Sequence, residues 1–362
     1  HAVLSCLPGG EIGESTGLAS AHASKAPNHS AQGQDSLALR MYDTAIEIHK
    51  TSNDKKAIAR LIYNKGLVYF NQSDYKRAND NNRAAYEVFK VERDSFLMAK
   101  MLNSIGINHM YLSQYPEALS SYLEAKQIYQ DVNSTNDIQY ASIHGSIGLL
   151  YARLEKFDLA LEAQEKALEL FKELDFQEGV ANSITNIGRL YTSTGKPQKA
   201  LLKYEEAFNI MKANNNERGT ASALTNMGIA YIEMEEYEKA IPYFEDTKEI
   251  YERLQNANNL AIVHDNLGDC FLNLSAPKNL IKAEQNYKAS LKYAEEAGSL
   301  NLQFEAHDNL ALVQTKKGNY KSAYKNKTDA LVLRDSFNSV EKKEEIARLE
   351  AKYEYEQEKS IL

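Results

Sequence analysis

The chain is predicted to be all-α, a solenoid of about seven stacked helical hairpins, and three observations predict it. Glycine recurs about every 40 residues, at Gly66, Gly106, Gly148, Gly188, Gly228 and Gly268, with Ala311 in the seventh place. Three positions on stands an aromatic in five copies (Tyr69, Tyr151, Tyr191, Tyr231, Phe271), with His109 and Gln314 in the other two, and twelve positions on an alanine in six (Ala78, Ala118, Ala160, Ala200, Ala240, Ala323). Finally, six prolines and no strand-like runs of Val, Ile or Thr leave helix as the regular structure.

The stretch Thr185 to Ala207 shows why each copy reads as two helices. Ile187, Gly188 and Tyr191 share one side of a first helix, and Ala200, Tyr204 and Ala207 stand at i, i+4, i+7 of a second. Between them Gly195 suits a left-handed C-cap and Pro197 a helix start. A hairpin this short buries too little apolar surface alone, so it stacks on its copies. Small residues at the glycine and alanine slots let two helix backbones approach closely, and the aromatics, among them Tyr122, Tyr204, Phe244 and Tyr287, fill the space where neighbouring hairpins meet.

In chain order, residues 1–34 are rich in Gly, Ser, Ala and His without a sustained period and read as a flexible lead-in. Pro8-Gly9-Gly10 lacks the strand before it and the Lys-Ser/Thr after it that a phosphate loop requires. Asp35 or Ser36 caps a half-repeat helix carrying Leu39, Tyr42, Ala45 and Ile46, and the array runs from residue 35 to 336. The Gly268 copy holds an insertion, Ser275-Ala276-Pro277, that displaces its alanine to Ala283. Residues 337–362 form a charged stretch with Ile346, Leu349 and Tyr353 at coiled-coil-like spacing, spoiled at Glu356 and Ser360. It reads equally as a helix capping the last repeat or as a homodimeric coiled coil.

The glycine, aromatic and alanine slots resemble the tetratricopeptide repeat, whose signature is Leu-Gly-x-x-Tyr in the first helix and Ala-x-x-x-Phe-x-x-Ala in the second. That resemblance implies a right-handed superhelical solenoid whose first helices line a concave groove. The period exceeds the common 34 residues by about six. Longer helices and longer turns, such as 131–137 and 214–217, are expected to absorb the excess. This longer period is similar to variants in kinesin light chains, spindle-orientation adaptors and bacterial signalling regulators.

Net charge is −8, from 42 Lys and Arg against 50 Asp and Glu, which opposes binding to a phosphate backbone in bulk. Nucleic acid is therefore set aside as a partner. Cys6 and Cys270 are the only cysteines, too few for a disulfide framework or a multi-cysteine zinc site. No run approaches the roughly 20 apolar residues of a membrane helix. The opening HAVLSC resembles a lipoprotein cleavage site without its hydrophobic segment, and whether Cys6 is lipidated stays open.

Two residues before the repeat glycine stands an asparagine in five of seven copies: Asn64, Asn186, Asn226, Asn266 and Asn309. A carboxamide donates to and accepts from a peptide backbone, so a regular row suits an extended ligand. The resemblance implies the same role, since asparagines on first helices clamp ligand backbones in peptide-binding tetratricopeptide proteins. The alternative is that each amide braces a neighbouring helix. Arg189, Asp265, Asp269, Glu305 and Asp308 would tune side-chain preference, and their acidity in the later repeats favours a basic ligand. His144, His264 and His307 occupy an otherwise apolar slot a repeat or more apart, so they read as packed core residues and no metal is expected. Neither a nucleophile with its base nor a carboxylate pair assembles from a local motif, so no enzyme activity and no cofactor are expected.

The expectation is thus a peptide- or protein-binding module. It reads first as the extracytoplasmic sensor or scaffold part of a bacterial signalling protein, periplasmic or membrane-associated, and alternatively as a soluble cytoplasmic adaptor.

Overall fold

The computed structural model describes residues 24–27, 35–274 and 276–334, and every described element is a helix. In order they are α1 (Asp35–Thr51), α2 (Lys55–Asn71), α3 (Tyr75–Val91), α4 (Ser95–Tyr111), α5 (Tyr115–Asp131), α6 (Ile138–Arg153) and α7 (Phe157–Glu173). There follow α8 (Gln177–Ser193), α9 (Pro197–Ala213), α10 (Glu217–Glu233), α11 (Tyr237–Arg253), α12 (Ala257–Asn273), α13 (Pro277–Glu296) and α14 (Leu300–Lys316). Residues 24–27 make one helical turn and 320–334 are helical. The proposed tail helix, 337–362, and Cys6 lie outside the described residues.

Apart from α6 with 16 residues and α13 with 20, the helices are 17 residues long, and most are joined by three-residue turns. The excess over the common repeat is therefore carried by the helices. Residues 214–216 form an ordinary short turn, and only 132–137 is longer. The three extra residues of the Gly268 copy go into α13.

Five of the short turns repeat one motif. After α1, Asn53 takes φ 52°, its N–H donates to Lys50 O at 3.2 Å, and Asp54 N–H donates to His49 O at 3.2 Å. This Schellman pattern satisfies the last carbonyls of one helix. Asp54 then accepts from Ala57 N–H at 3.0 Å, capping the next. The same two jobs recur at Asp74, Asp94, Asn216 and Asn256. Gly195 occupies the left-handed position at φ 68°, as the sequence predicts. Ten other turns place a non-glycine residue there, among them Arg93, Glu155 and Glu235.

The chain divides inside α8 into two compact units, His1–Asn186 and Ile187–Leu362. In unit 1 one core gathers Ala38, Tyr42, Ile46, Leu61 and Val68 with Ala26, and another joins Ala59, Ala85, Phe89 and Met101. In unit 2 Phe244, Tyr251, Leu260, Val263 and Leu267 form one core, and Phe271, Tyr287, Leu310 and Val313 another.

In four copies the space at the glycine is taken by a second-helix ring of the same hairpin, whereas the spacing predicts a close approach of two backbones with the aromatic between neighbouring hairpins. A Cβ on Gly106 would lie 2.4 Å from Tyr122 Cε1, and one on Gly188 2.5 Å from Tyr204 Cε1. On Gly228 it would meet Phe244 Cζ at 2.6 Å, and on Gly268 Tyr287 Cε1 at 2.4 Å. The second-helix ring thus lies directly on first-helix backbone. In two copies the ring is replaced by a buried amide: Asn82 faces Gly66, and Gln164 faces Gly148.

Candidate functional site

The residues singled out by spacing sit on first helices, but their surroundings differ. In unit 1, Asn64 on α2 and Asn186 on α8 are half-buried. Asn186 Nδ2 donates to Gln164 Oε1 at 3.4 Å, and Gln164 Nε2 donates to Gly145 O at 2.8 Å. Gln164, only 1% exposed, therefore ties α7 to α6 and to the middle of α8. Gln164 stands outside the residues singled out by spacing. Its signal is the polar residue sixteen places after Gly148, where Tyr122, Tyr204 and Phe244 stand in three other copies.

In unit 2, Asn226 on α10 is buried at 8% exposure, deeper than the other four amides. Asn266 on α12 is half-buried, and its Nδ2 donates to Ile262 O in its own helix at 3.0 Å. Asn309 on α14 donates through Nδ2 to Asp265 Oδ1 at 2.9 Å, linking the first helices of successive hairpins. Arg189 is exposed near the start of the unit.

Asp265 and Asp269 lie one turn apart on α12, so both carboxylates project to the same side. Burial, and secondarily the charge of Asp269, push the Asp265 carboxyl up to about 7, against the opposing bond from Asn309. Asp269 is also raised by burial, while the hydroxyl of Tyr287, donating to its Oδ1 at 2.7 Å, acts the other way. Tyr287 is the ring that covers Gly268, so the core slot of this hairpin ends on the carboxylate of its first helix. Asp308 pairs with Lys327, and Glu305 accepts from Asn301 Nδ2 at 2.8 Å. The structure thus brings Asp265, Asp269 and Asn309 together, with Asp308 beside Asn309 in sequence.

The histidines fall in the predicted slot. His264 Nδ1 is 2.9 Å from Asn286 Oδ1 and His307 Nδ1 is 3.2 Å from Asn326 Oδ1, each across one hairpin. His144 is buried against Tyr140, and burial lowers its pKa to about 4. Cys270 is fully buried in α12, and burial pushes its thiol up to about 12. Among the described residues no group of three or more His, Cys, Asp or Glu could hold a metal ion, and no helix is long and apolar enough to cross a membrane.

Comparison with known proteins adds the family relationship. A tetratricopeptide repeat model matches residues 97–173, 140–213 and 219–277. No curated protein sequence matches the chain. Among solved structures it is similar to a signal-transduction ATPase with numerous domains and a tetratricopeptide repeat sensor, from Pyrococcus horikoshii. That match has TM-score 0.62 at 18% identity, over 90% of this chain and 49% of the ATPase, so the chain spans about half the length of that protein. It is also similar to the Rap conjugation gene regulator of plasmid pLS20, solved in complex with the Phr* peptide. Here the TM-score is 0.59 at 12% identity, over 90% of this chain and 96% of that one. The apo form of RapI matches with TM-score 0.58 at 17% identity, over 78% and 99%.

Proposed function

We propose, from the premise that this chain is a tetratricopeptide-repeat protein, that it binds an extended peptide or protein segment on its first-helix faces, and that the segment held by unit 2 carries basic side chains. The observation that carries this reading is the set Asp265, Asp269 and Asn309. Two carboxylates are held one turn apart with a raised pKa, and one is tied to the next hairpin by an amide. A carboxylate kept partly out of water is stabilised by an arriving cation, whereas an acidic side chain would add repulsion. Within each unit the half-buried amides, Asn64 and Asn186 in unit 1 and Asn266 and Asn309 in unit 2, would bond to ligand backbone. Recognition, and not chemistry on the bound segment, is the role this face supports.

We assign the chain to the sensor or scaffold part of a larger bacterial signalling protein, acting outside the cytoplasmic membrane. The fold shared with a tetratricopeptide sensor and with a regulator solved with its peptide supports the sensor role. Fluorescence anisotropy with paired peptides, identical except for Lys and Arg exchanged for Glu, tests the ligand class. The basic peptide should bind at least tenfold more tightly, and Asp265→Asn with Asp269→Asn should remove that preference. Equal affinity for both peptides would refute the basic-ligand reading. A phosphatase fused after Arg334 in the gene product as encoded tests the location: activity is expected only if this part is exported.

A further inference from the structure

Unit 1 contains a seam whose chemistry departs from the repeat. The residue after the second-helix alanine is Asn79 in α3, where α5, α7, α9 and α11 have Leu119, Leu161, Leu201 and Ile241. Two places after the first-helix glycine stands Asn108 in α4, against Val68, Leu150, Leu190, Ala230 and Cys270 in other copies. Asn82 replaces the core ring of its hairpin, and Asn103 joins these on α4. All four are buried, with exposures of 8% for Asn79, 2% for Asn82, 8% for Asn103 and 1% for Asn108.

Their bonding is incomplete. The Oδ1 atoms of Asn79, Asn82 and Asn103 and the Nδ2 of Asn108 are buried without a hydrogen-bond partner. Gln164, the other amide in a core slot, is bonded at both ends. Packing places Asn79 and Asn108 between α3 and α4, since their counterparts Leu201 and Ala230 share one core in the later repeat, whereas Asn82 turns its Oδ1 onto Gly66 of α2 within its own hairpin. Met101, Ile105 and Asn108 form an i, i+4, i+7 stripe on α4, and Met101 is buried in one cluster with Ala85 and Phe89 of α3. Arg83, one turn after Asn79, reaches His109 Nε2 at 3.3 Å beside Asn108.

A buried polar atom without a partner forfeits its bond to water, and regains it when the surface opens. An apolar seam gains nothing of the kind, since opening exposes its hydrocarbon. The unsatisfied atoms of Asn79 and Asn108 therefore each favour the open form of this seam by about tenfold relative to an apolar side chain of similar size.

We propose that the α3–α4 seam is a compliant joint of unit 1, at which α1–α3 swing against α4–α7 and which opens to water far more often than the apolar seams. The joint sets the separation of the first helices α2 and α4. Its bearing on ligand capture rests on the reading given under Proposed function, whereas the opening itself requires no ligand and is measured without one.

Two buried probes in the same stripe position test it, Ile105→Cys at this seam and Ile147→Cys one repeat later; the native residues are 4% and 7% exposed. Thiol labelling of the full chain, resolved by peptide mapping, should modify position 105 at least tenfold faster than 147. Adding Asn79→Leu and Asn108→Leu should slow labelling at 105 by tenfold or more and leave 147 unchanged. Equal rates at the two probes in the otherwise native chain would overturn the proposal, and that comparison stands even where the leucine variant does not fold. A folded leucine variant that labels at 105 as fast as before would overturn it equally.

Discussion

Gly106→Ala puts the packing rule of the array to a quantitative test. The added methyl carbon would stand 2.4 Å from Tyr122 Cε1, 2.7 Å from Cδ1 and 3.0 Å from Cζ. Carbon atoms in contact sit about 3.5–4.0 Å apart, so the shortfall at the nearest atom is about 1 Å. Tyr122 is 0% exposed and cannot swing its ring into solvent. The clash therefore belongs at the upper end of overpacking costs, about 3 kcal/mol. Alanine in place of glycine inside a helix returns about 1 kcal/mol. The net is a loss of about 2 kcal/mol, or a fall in melting temperature of about 4–8 °C for a unit of this size. Thermal melting followed by circular dichroism measures it. A double-mutant cycle with Tyr122→Ala isolates the cause, because the space left by the ring accepts the methyl group. The double variant should then be less destabilised than the sum of the singles by about 2 kcal/mol or more. Should Gly106→Ala raise the melting temperature, or the two changes add, ring-on-backbone contact is not what selects glycine.

Gln164→Ala removes the bonds to Gly145 O and Asn186 Nδ2 and leaves a cavity, and should cost about 2–4 kcal/mol in a chemical denaturation curve. Gly195→Ala meets no atom within 4 Å but keeps φ 68°, so its cost is the left-handed backbone alone, about 1 kcal/mol. Asp265 titrates near pH 7 in the folded protein, above its unfolded value, so the native state holds this proton more tightly than the unfolded chain does. Stability of unit 2 should therefore decline as pH rises from about 4 through 7, and Asp265→Asn should remove that part of the decline in melts at successive pH values. In the same window affinity for a basic peptide should rise with pH as the carboxyl ionises, and the Asn variant should bind with a flat profile in anisotropy titrations.

The repeat was legible because its physical requirement is local. A ring lying on backbone excludes every side chain but hydrogen at Gly106, Gly188, Gly228 and Gly268, so glycine had to recur at the helical period of the array. Alanine recurs at Ala118, Ala160 and Ala200 for the related reason that each is wholly buried. The turns were less legible. Their left-handed residue is held by two backbone bonds that any side chain permits, so Arg93 and Glu155 serve where glycine is expected. The candidate site was legible as residue types and not as partners. Asp265 and Asn309 meet across 44 positions of sequence, and Asn186 finds Gln164 only because that amide fills a ring's place. The distribution of the extra six residues per copy was misjudged in part for the turns, because an added helical turn extends the same buried stripe whereas a longer turn buries nothing.

The cap that recurs at Asn216 and Asn256 has a consequence for how such a chain changes length. Asn216 and Asn256 do the same work forty residues apart: each closes the preceding helix through its N–H, and each side chain accepts from an N–H three residues on, at 2.9 and 3.0 Å. Loss of residues 217–256 would set Asn216 directly before Ala257 with the identical cap in place. One unequal exchange between neighbouring stretches of the gene could therefore remove or add a whole hairpin at a chemically silent junction. Length, and with it the number of rungs offered to a ligand, is then open to variation in single steps, without a period of broken helix ends in between.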